Sequence, residues 1–139
     1  MTVSVDSPAH CDQLVSTGGR VAERVFFSDM PQETIDALTK IQRMNDVEVC
    51  GFLTNRWVID IVDNVHREPT HNFFMGPESV RDAVEEIYDK WNESILGIWH
   101  THPNNVHWPS PRDILGWPNL ALAWRYFVVT SGEVLEWKL

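Results

Sequence analysis

Short segments rich in β-branched and aromatic residues alternate along the chain with segments of helical periodicity. The clearest helix is predicted over residues 77–91, because apolar side chains from Val80 to Trp91 recur three or four positions apart and acidic side chains fill the opposite face. A second helix is predicted over residues 31–45. Strands are predicted over residues 21–27, 47–53, 56–65, 95–99, 125–130 and 133–139. This order predicts an α/β fold in which helices flank a mixed sheet.

The chain length and hydropathy favour one compact domain. A chain of 139 residues can bury a core of its own but is too short for two domains. We expect a single domain over residues 21–139 and a flexible N-terminal arm over residues 1–20, which are rich in Ser, Thr, Asp and Gly. There is no apolar run long enough for a membrane span and no signal-like apolar stretch, so the expected location is cytoplasmic.

Charge and cysteine content exclude two classes of protein. The net charge is −9 and the 11 Lys and Arg residues are scattered, whereas nucleic-acid binding needs a basic stripe. The two cysteines, Cys11 and Cys50, make neither a disulfide framework nor a paired-cysteine zinc site. A bound metal would therefore take its ligands mainly from histidines and carboxylates.

Five polar residues form a pattern that predicts a metal-dependent hydrolase. His100 and His102 lie two positions apart in an extended segment, so both imidazoles point to the same side. Asp113 lies in the first turn of a helix that Ser110 caps, and two imidazoles with one carboxylate match an open catalytic zinc site. Glu48, a carboxylate within an apolar strand, is the candidate general base. The Ser110 hydroxyl is the candidate oxyanion donor.

Each of these residues also has a simpler interpretation when it is taken alone. A His-x-His pair is most often a surface or core feature, and Glu48 could face outward from an edge strand. Asp113 is explained by a favourable contact with the helix dipole, and Ser110 by its role as a cap. Only the joint pattern favours the catalytic interpretation.

Two further residues near the pattern are left with open roles. Cys50 shares the face of Glu48 in the predicted strand, as a small buried hydrophobe or as a sulfur beside the metal. His107 lies in the loop after the histidine pair, where it is either exposed to solvent or in contact with substrate.

The spacing of these residues resembles the signature of a known family. His100-Thr101-His102-Pro103, six residues, Ser110, two residues and Asp113 match the motif of the JAMM (MPN+, JAB-domain) zinc metalloproteases without a gap. The segment that begins at Glu48 resembles the glutamate strand of that family, and the C-terminal segment resembles its closing hairpin. The likeness extends over residues 21–139.

The resemblance implies the cytidine-deaminase-like JAMM/MPN fold and one zinc ion (Zn²⁺) per chain. It implies that His100, His102 and Asp113 are the metal ligands. It further implies that Glu48 is the general base and that Ser110 donates to the oxyanion.

The resemblance also implies a substrate class. JAMM enzymes hydrolyse an amide or isopeptide bond after the C-terminal tail of a ubiquitin-like or sulfur-carrier protein, by zinc-activated water. The small size resembles minimal prokaryotic or phage-type members. The alternatives are a phage or assembly-associated module that acts on a structural protein or cell-wall peptide, and a non-catalytic protein-binding MPN domain. The sequence does not indicate an oligomeric state.

Overall fold

A computed structural model describes residues 14–27, 29–116 and 123–138 of the chain. The described residues form a seven-stranded sheet in the order β1-β2-β7-β6-β5-β3-β4. The strands are β1 (Leu14–Thr17), β2 (Arg20–Val25), β3 (Cys50–Thr54), β4 (Ile59–Val62), β5 (Ile95–Thr101), β6 (Arg125–Val129) and β7 (Val134–Lys138). The α-helices are α1 (Gln32–Arg43), α2 (Pro77–Glu85) and α3 (Pro111–Leu115).

The sheet is mixed, as the order of elements predicts. Strand β6 runs parallel to β5, and the other neighbouring strands are antiparallel. Helices cover both faces of the sheet. The predicted fold class, an α/β protein with a mixed sheet flanked by helices, is therefore confirmed.

Alternate side chains of the central strands supply two separate cores. Ile98 and Tyr126 pack on the face covered by α2, in a cluster that includes Ala83 of that helix. Trp99 packs on the opposite face, in a cluster with Leu38 of α1. Strand side chains point alternately to opposite faces, so side chains two positions apart share a face. His100 therefore points to the same side of the sheet as Ile98, toward the α2 layer.

The long predicted helix is divided in the structure. Helix α2 ends at Glu85, and a π-helical turn over Glu86–Lys90 continues it. In this turn the Trp91 N–H donates to the Glu86 carbonyl oxygen at 3.0 Å, which is a five-residue rather than a four-residue spacing. Ile87 remains fully buried, so the wider turn keeps the apolar face directed at the core. No helix among the described residues has the length and apolarity needed to cross a membrane.

The N-terminal boundary differs from the prediction. Residues 14–20 were expected to belong to a flexible arm, but β1 and the start of β2 lie in the sheet, so the expectation is wrong for them. Burial explains the difference, since Val15 is only 2% exposed and joins the core. Residues 1–13 of the expected arm lie outside the described residues.

Candidate metal centre and active site

Three side chains from the predicted pattern converge on one point. The Nε2 atoms of His100 and His102 are 3.0 Å apart, and Asp113 Oδ2 lies 3.1 and 3.2 Å from them. All three residues are buried. Ligand atoms about 2.0–2.1 Å from a tetrahedral zinc ion are about 3.3–3.4 Å from one another. The observed triangle is close to the size that a zinc ion requires.

The loop after β5 fixes the orientation of His102. Its Nδ1 atom lies 2.8 Å from the Val106 carbonyl oxygen, which can only accept a hydrogen bond. The imidazole therefore carries a proton on Nδ1, and its Nε2 faces Asp113 and His100. A backbone carbonyl on the far nitrogen is the usual way in which proteins orient a metal-binding histidine.

The start of helix α3 orients Asp113. The Asp113 N–H donates to Ser110 Oγ at 3.0 Å, and the Ser110 N–H donates to Asp113 Oδ2 at 2.8 Å, which is a reciprocal capping box. The capped oxygen is the one that faces the two histidines. The helix cap and the site are therefore one arrangement, and the structural interpretation of these residues does not compete with the chemical one.

Strand pairing brings Glu48 to the same place. Cys50 pairs with His100 across the antiparallel β3 and β5 strands. Beyond the ladder, the Thr101 N–H donates to the Val49 carbonyl at 2.8 Å and the Val49 N–H donates to Thr101 Oγ1 at 2.9 Å. Continuation of this register sets Glu48 opposite His102. Four ligand atoms, one from each residue, lie within 4.8 Å of one another; the residues are Glu48, His100, His102 and Asp113.

Glu48 was expected inside the strand, but it lies just before β3, which begins at Cys50. Its N–H donates to the Pro69 carbonyl at 2.7 Å, and its carbonyl accepts from Asn64 Nδ2 at 2.9 Å, so loop residues and not a strand hold its backbone. The residue is 4% exposed, and its Oε1 atom has no hydrogen-bond partner among the described residues. A buried, unpartnered carboxylate oxygen is costly unless a proton or a cation satisfies it.

Burial and charge shift the protonation of the cluster. Burial raises the pKa of Glu48 to about 8, with a further increase from Asp113 and an opposing effect of His102. Burial lowers the pKa of His100, which favours a neutral imidazole at neutral pH. Burial acts to raise the pKa of Asp113, but the two histidines outweigh it and hold that pKa well below its usual range. Burial acts to lower the pKa of His102, but the hydrogen bond to Asp113 and the Asp113 charge outweigh it and raise that pKa. The shifts at His100 and Asp113 favour neutral imidazole and ionised carboxylate, the ligand forms that zinc takes.

Comparisons with known proteins identify the family. The model of the prokaryotic homologues of the JAB domain matches residues 28–139. The chain belongs to this JAB family. It is 32% identical over 114 residues to the desampylase of Pyrococcus furiosus, a match that covers 79% of this chain and 79% of that protein. The family that the motif spacing indicated is therefore confirmed.

A solved structure supports the fold of this JAB protein. The solution structure of protein DSY2949 from Desulfitobacterium hafniense superposes with a TM-score of 0.56 at 23% identity, and the match covers 75% of this chain and 74% of that one. At this identity the likeness concerns the fold alone. The expected JAB/MPN fold is confirmed by the family match together with the mixed sheet.

An apolar pocket lies beside the triangle of His100, His102 and Asp113 in this JAB protein. It has a volume of about 450 Å³, and Asp113 is one of the residues that line it. Its walls include Phe52, Phe73, Trp124 and Tyr126, with Arg112 among the polar residues that line it. A concave, mainly apolar cavity that ends at convergent polar groups is the usual form of a ligand site.

Two polar side chains that support the site were not foreseen from the sequence. Asn64 uses its whole amide, as it donates from Nδ2 to the carbonyls of Glu48 and Asn72 at 2.9 Å each and accepts at Oδ1 from two backbone N–H groups. Buried Gln42 of α1 donates to the His102 carbonyl at 2.9 Å. Gln42 lies four positions after Leu38, so the sequence places it on the buried face of the helix. A polar side chain on a buried face indicates a hydrogen-bond partner inside the protein. Asn64 offers no comparable signal.

Cys50 and His107 lie differently with respect to the cluster. Cys50 is buried, its Sγ lies 3.4 Å from the Val62 carbonyl oxygen, and burial raises the pKa of its thiol to about 12. His107 is not one of the residues whose ligand atoms converge. Its ring is 54% exposed and lies 3.5 Å from Glu133.

Proposed function

We propose that this protein is a zinc-dependent isopeptidase that hydrolyses an amide or isopeptide bond after the C-terminal tail of a ubiquitin-like or sulfur-carrier protein. The observation that carries the proposal is the convergence of two imidazoles and a carboxylate beside buried Glu48, whose Oε1 has no hydrogen-bond partner within the part of the chain that the structure describes. The similarity to a desampylase supports the substrate class, because an enzyme of that name removes a ubiquitin-like modifier.

The proposed metal ligands are His100 Nε2, His102 Nε2 and Asp113 Oδ2. The donor set fits zinc, since two nitrogens and one oxygen leave a fourth coordination position open. Zinc bound there supplies Lewis-acid chemistry, which lowers the pKa of a water molecule and polarises a carbonyl group.

Proton transfer is assigned to Glu48. Its carboxylate accepts the proton of the attacking water and then delivers it to the nitrogen of the leaving amine. Burial raises the pKa of Glu48, whereas a zinc ion held beside it would lower that pKa, and a carboxyl subject to both effects can accept a proton and also release it. No described residue forms a hydrogen bond with Glu48 Oε1, so this atom is available for the transfers.

Stabilisation of the oxyanion is assigned to Ser110. The Ser110 Oγ already accepts the Asp113 N–H at 3.0 Å, and a hydroxyl that accepts one hydrogen bond still has its own O–H to donate. Ser110 adjoins the cluster through its hydrogen bonds with Asp113, so this O–H is assigned to donate to the substrate carbonyl oxygen as negative charge develops on it. The pocket beside Asp113 provides room for the substrate segment next to the bond that is cut.

Replacement of Glu48 by Gln separates metal binding from turnover. The test compares the zinc content and cleavage rate of the parent protein, Glu48→Gln, and the matched control Glu33→Gln, whose side chain is exposed on α1. The substrates are a ubiquitin-fold carrier protein linked through its C-terminus to a lysine side chain, and the same carrier as a linear fusion. We expect about one zinc per chain in all three proteins, with turnover of Glu48→Gln reduced by about 100-fold or more.

Two outcomes would contradict the proposal. Cleavage by Glu48→Gln at the parent rate would remove the assigned base. A zinc-loaded parent protein that cleaves neither carrier substrate would contradict the isopeptidase assignment. His100→Ala provides the metal control, because loss of one ligand is expected to abolish stoichiometric zinc binding.

A further inference from the structure

The two histidines of the cluster are held by different means. His102 has a hydrogen bond of 2.8 Å from Nδ1 to the Val106 carbonyl oxygen. His100 has no such bond, because its Nδ1 is buried and without a hydrogen-bond partner among the described residues. Metal-binding histidines usually donate from the far nitrogen to a carboxylate, a carbonyl or water. Some other contact must therefore orient the His100 ring.

Aromatic rings surround His100 in place of a hydrogen-bond acceptor. The Phe73 ring stacks on it with centroids 4.4 Å apart and planes inclined by 24°. His102 and Tyr126 meet the imidazole edge-on, at centroid distances of 4.8 and 5.7 Å. Among these contacts only the Phe73 stack lies nearly parallel to the imidazole, so it is the one that opposes rotation of the ring out of its plane.

The backbone on either side of Phe73 is fixed by the side chain of Asn64. Asn64 Nδ2 donates to the Asn72 carbonyl at 2.9 Å, and Asn64 Oδ1 accepts from the Phe74 N–H at 3.0 Å. The same amide donates to the Glu48 carbonyl at 2.9 Å. The loop that carries Phe73 is therefore anchored to the segment that carries the proposed base, and the ring is held against His100.

We infer that Phe73 is a positioning residue that fixes the plane of the His100 imidazole by stacking, so that Nε2 faces His102 and Asp113. The inference rests on the metal site of the proposed function. It assigns Phe73 no part in proton transfer, and because Phe73 also lines the apolar pocket, the test measures metal binding and not turnover. Outer groups that orient a metal-binding histidine typically change metal affinity by about 10- to 100-fold when they are removed.

The test compares three variants with the parent protein. Phe73→Leu removes the ring, whereas Phe73→Tyr keeps it. Phe74→Leu makes the same change at the neighbouring, 52% exposed phenylalanine, which serves as the matched control. Each protein is titrated with Zn²⁺ against a competing chelator. Each is also loaded with Co²⁺, whose visible absorption spectrum reports the ligand geometry.

We expect Phe73→Leu to bind Zn²⁺ about 10- to 100-fold more weakly and to change the Co²⁺ spectrum. Phe73→Tyr should bind Zn²⁺ within about threefold of the parental affinity and give the parental Co²⁺ spectrum. The reason is that this variant keeps an aromatic ring stacked on the His100 imidazole. Phe74→Leu should match the parent. Thermal melts of the metal-free proteins establish that each variant is folded before metal is added.

Three results would overturn the inference: parental affinity and spectrum in Phe73→Leu, an equal loss in Phe73→Leu and Phe73→Tyr, or an equal loss in Phe74→Leu. A parent protein that binds neither ion also overturns it. No readout uses a substrate, so a parent that binds zinc and shows the expected variant order, but cleaves no carrier conjugate, contradicts only the proposed function.

Discussion

The close approach of strands β3 and β4 at Gly51 gives a sharp test of the sheet that positions the site. A Cβ atom added to Gly51 would lie 1.8 Å from the Asp60 carbonyl oxygen and 2.8 Å from the Asp60 carbonyl carbon. Ordinary contact with such a Cβ begins at 3.4 Å, so Gly51→Ala requires the strands to separate by about 1.6 Å at this point. Backbone hydrogen bonds of about 2.9 Å do not survive such a shift.

The expected cost follows from the pairs that the shift disrupts. Gly51 pairs with Ile61 and Phe52 pairs with Asp60 in the β3–β4 ladder. Loss of two hydrogen bonds costs about 1 kcal/mol each. Overpacking in a well-packed region adds about 1–3 kcal/mol. Gly51→Ala should therefore lower the free energy of unfolding by about 3 kcal/mol or more. For a chain of this size that lowers the melting temperature by about 10 °C.

The assay is thermal unfolding followed by circular dichroism, with Gly132→Ala as the matched control. A Cβ added to Gly132 meets no heavy atom within 4 Å, so the same chemical change should leave the melting temperature nearly unaltered. A melting temperature of Gly51→Ala within about 2 °C of the parent would refute the reasoning, since a difference that small corresponds to less than about 1 kcal/mol.

Two further predictions concern Asn64, which supports the site, and Asp60 on strand β4. Asn64→Ala removes an amide that donates to both the Glu48 and Asn72 carbonyls, so it should lower the free energy of unfolding by about 2–4 kcal/mol. The measurement is a urea titration, in which an unchanged midpoint would contradict the prediction. Burial, with a contribution from Glu86, raises the pKa of Asp60 to about 6. Ionisation of this carboxyl therefore lowers the free energy of unfolding as the pH rises from 3.8 to about 6. Asp60→Asn should thus be more stable than the parent at pH 7 but not at pH 3.5, and an equal difference in urea midpoints at both would contradict the sign.

Part of the arrangement of His100, His102 and Asp113 could be predicted because its geometry is local. Two histidines at alternate positions of an extended segment must share a side, and a serine cap three residues before Asp113 fixes the start of a helix. Both inferences depend on backbone periodicity within a few residues. The distance between the two segments does not follow from periodicity, and it was the resemblance to the JAMM signature that supplied it.

The first hairpin was missed although its turn left a signal. Strands β1 and β2 are joined by Gly18 and Gly19, which have φ values of 58° and 79°, and Thr17 pairs directly with Arg20. Two glycines between strand-forming segments are typical of a two-residue hairpin turn, because both central positions need positive φ. The polar composition of the first 20 residues outweighed this signal and led to the prediction of an arm.

The supporting groups of the site belong to a different class of information. Asn64 is 16 positions from Glu48 and 8 from Asn72, and these separations are set by how strand β4 and the following loop fold back on the sheet. Nothing in an asparagine after a strand distinguishes Asn64 from an ordinary surface residue, and a phenylalanine within a loop gives no sign that Phe73 contacts His100. Metal ligands recur at fixed spacings because backbone geometry imposes those spacings. The groups that orient the ligands need only lie close to them in space, so their sequence positions follow no fixed spacing. A contact such as the Phe73 stack is therefore recognised only from the structure, where the ring lies against His100 and no described residue forms a hydrogen bond with the Nδ1 atom of that histidine.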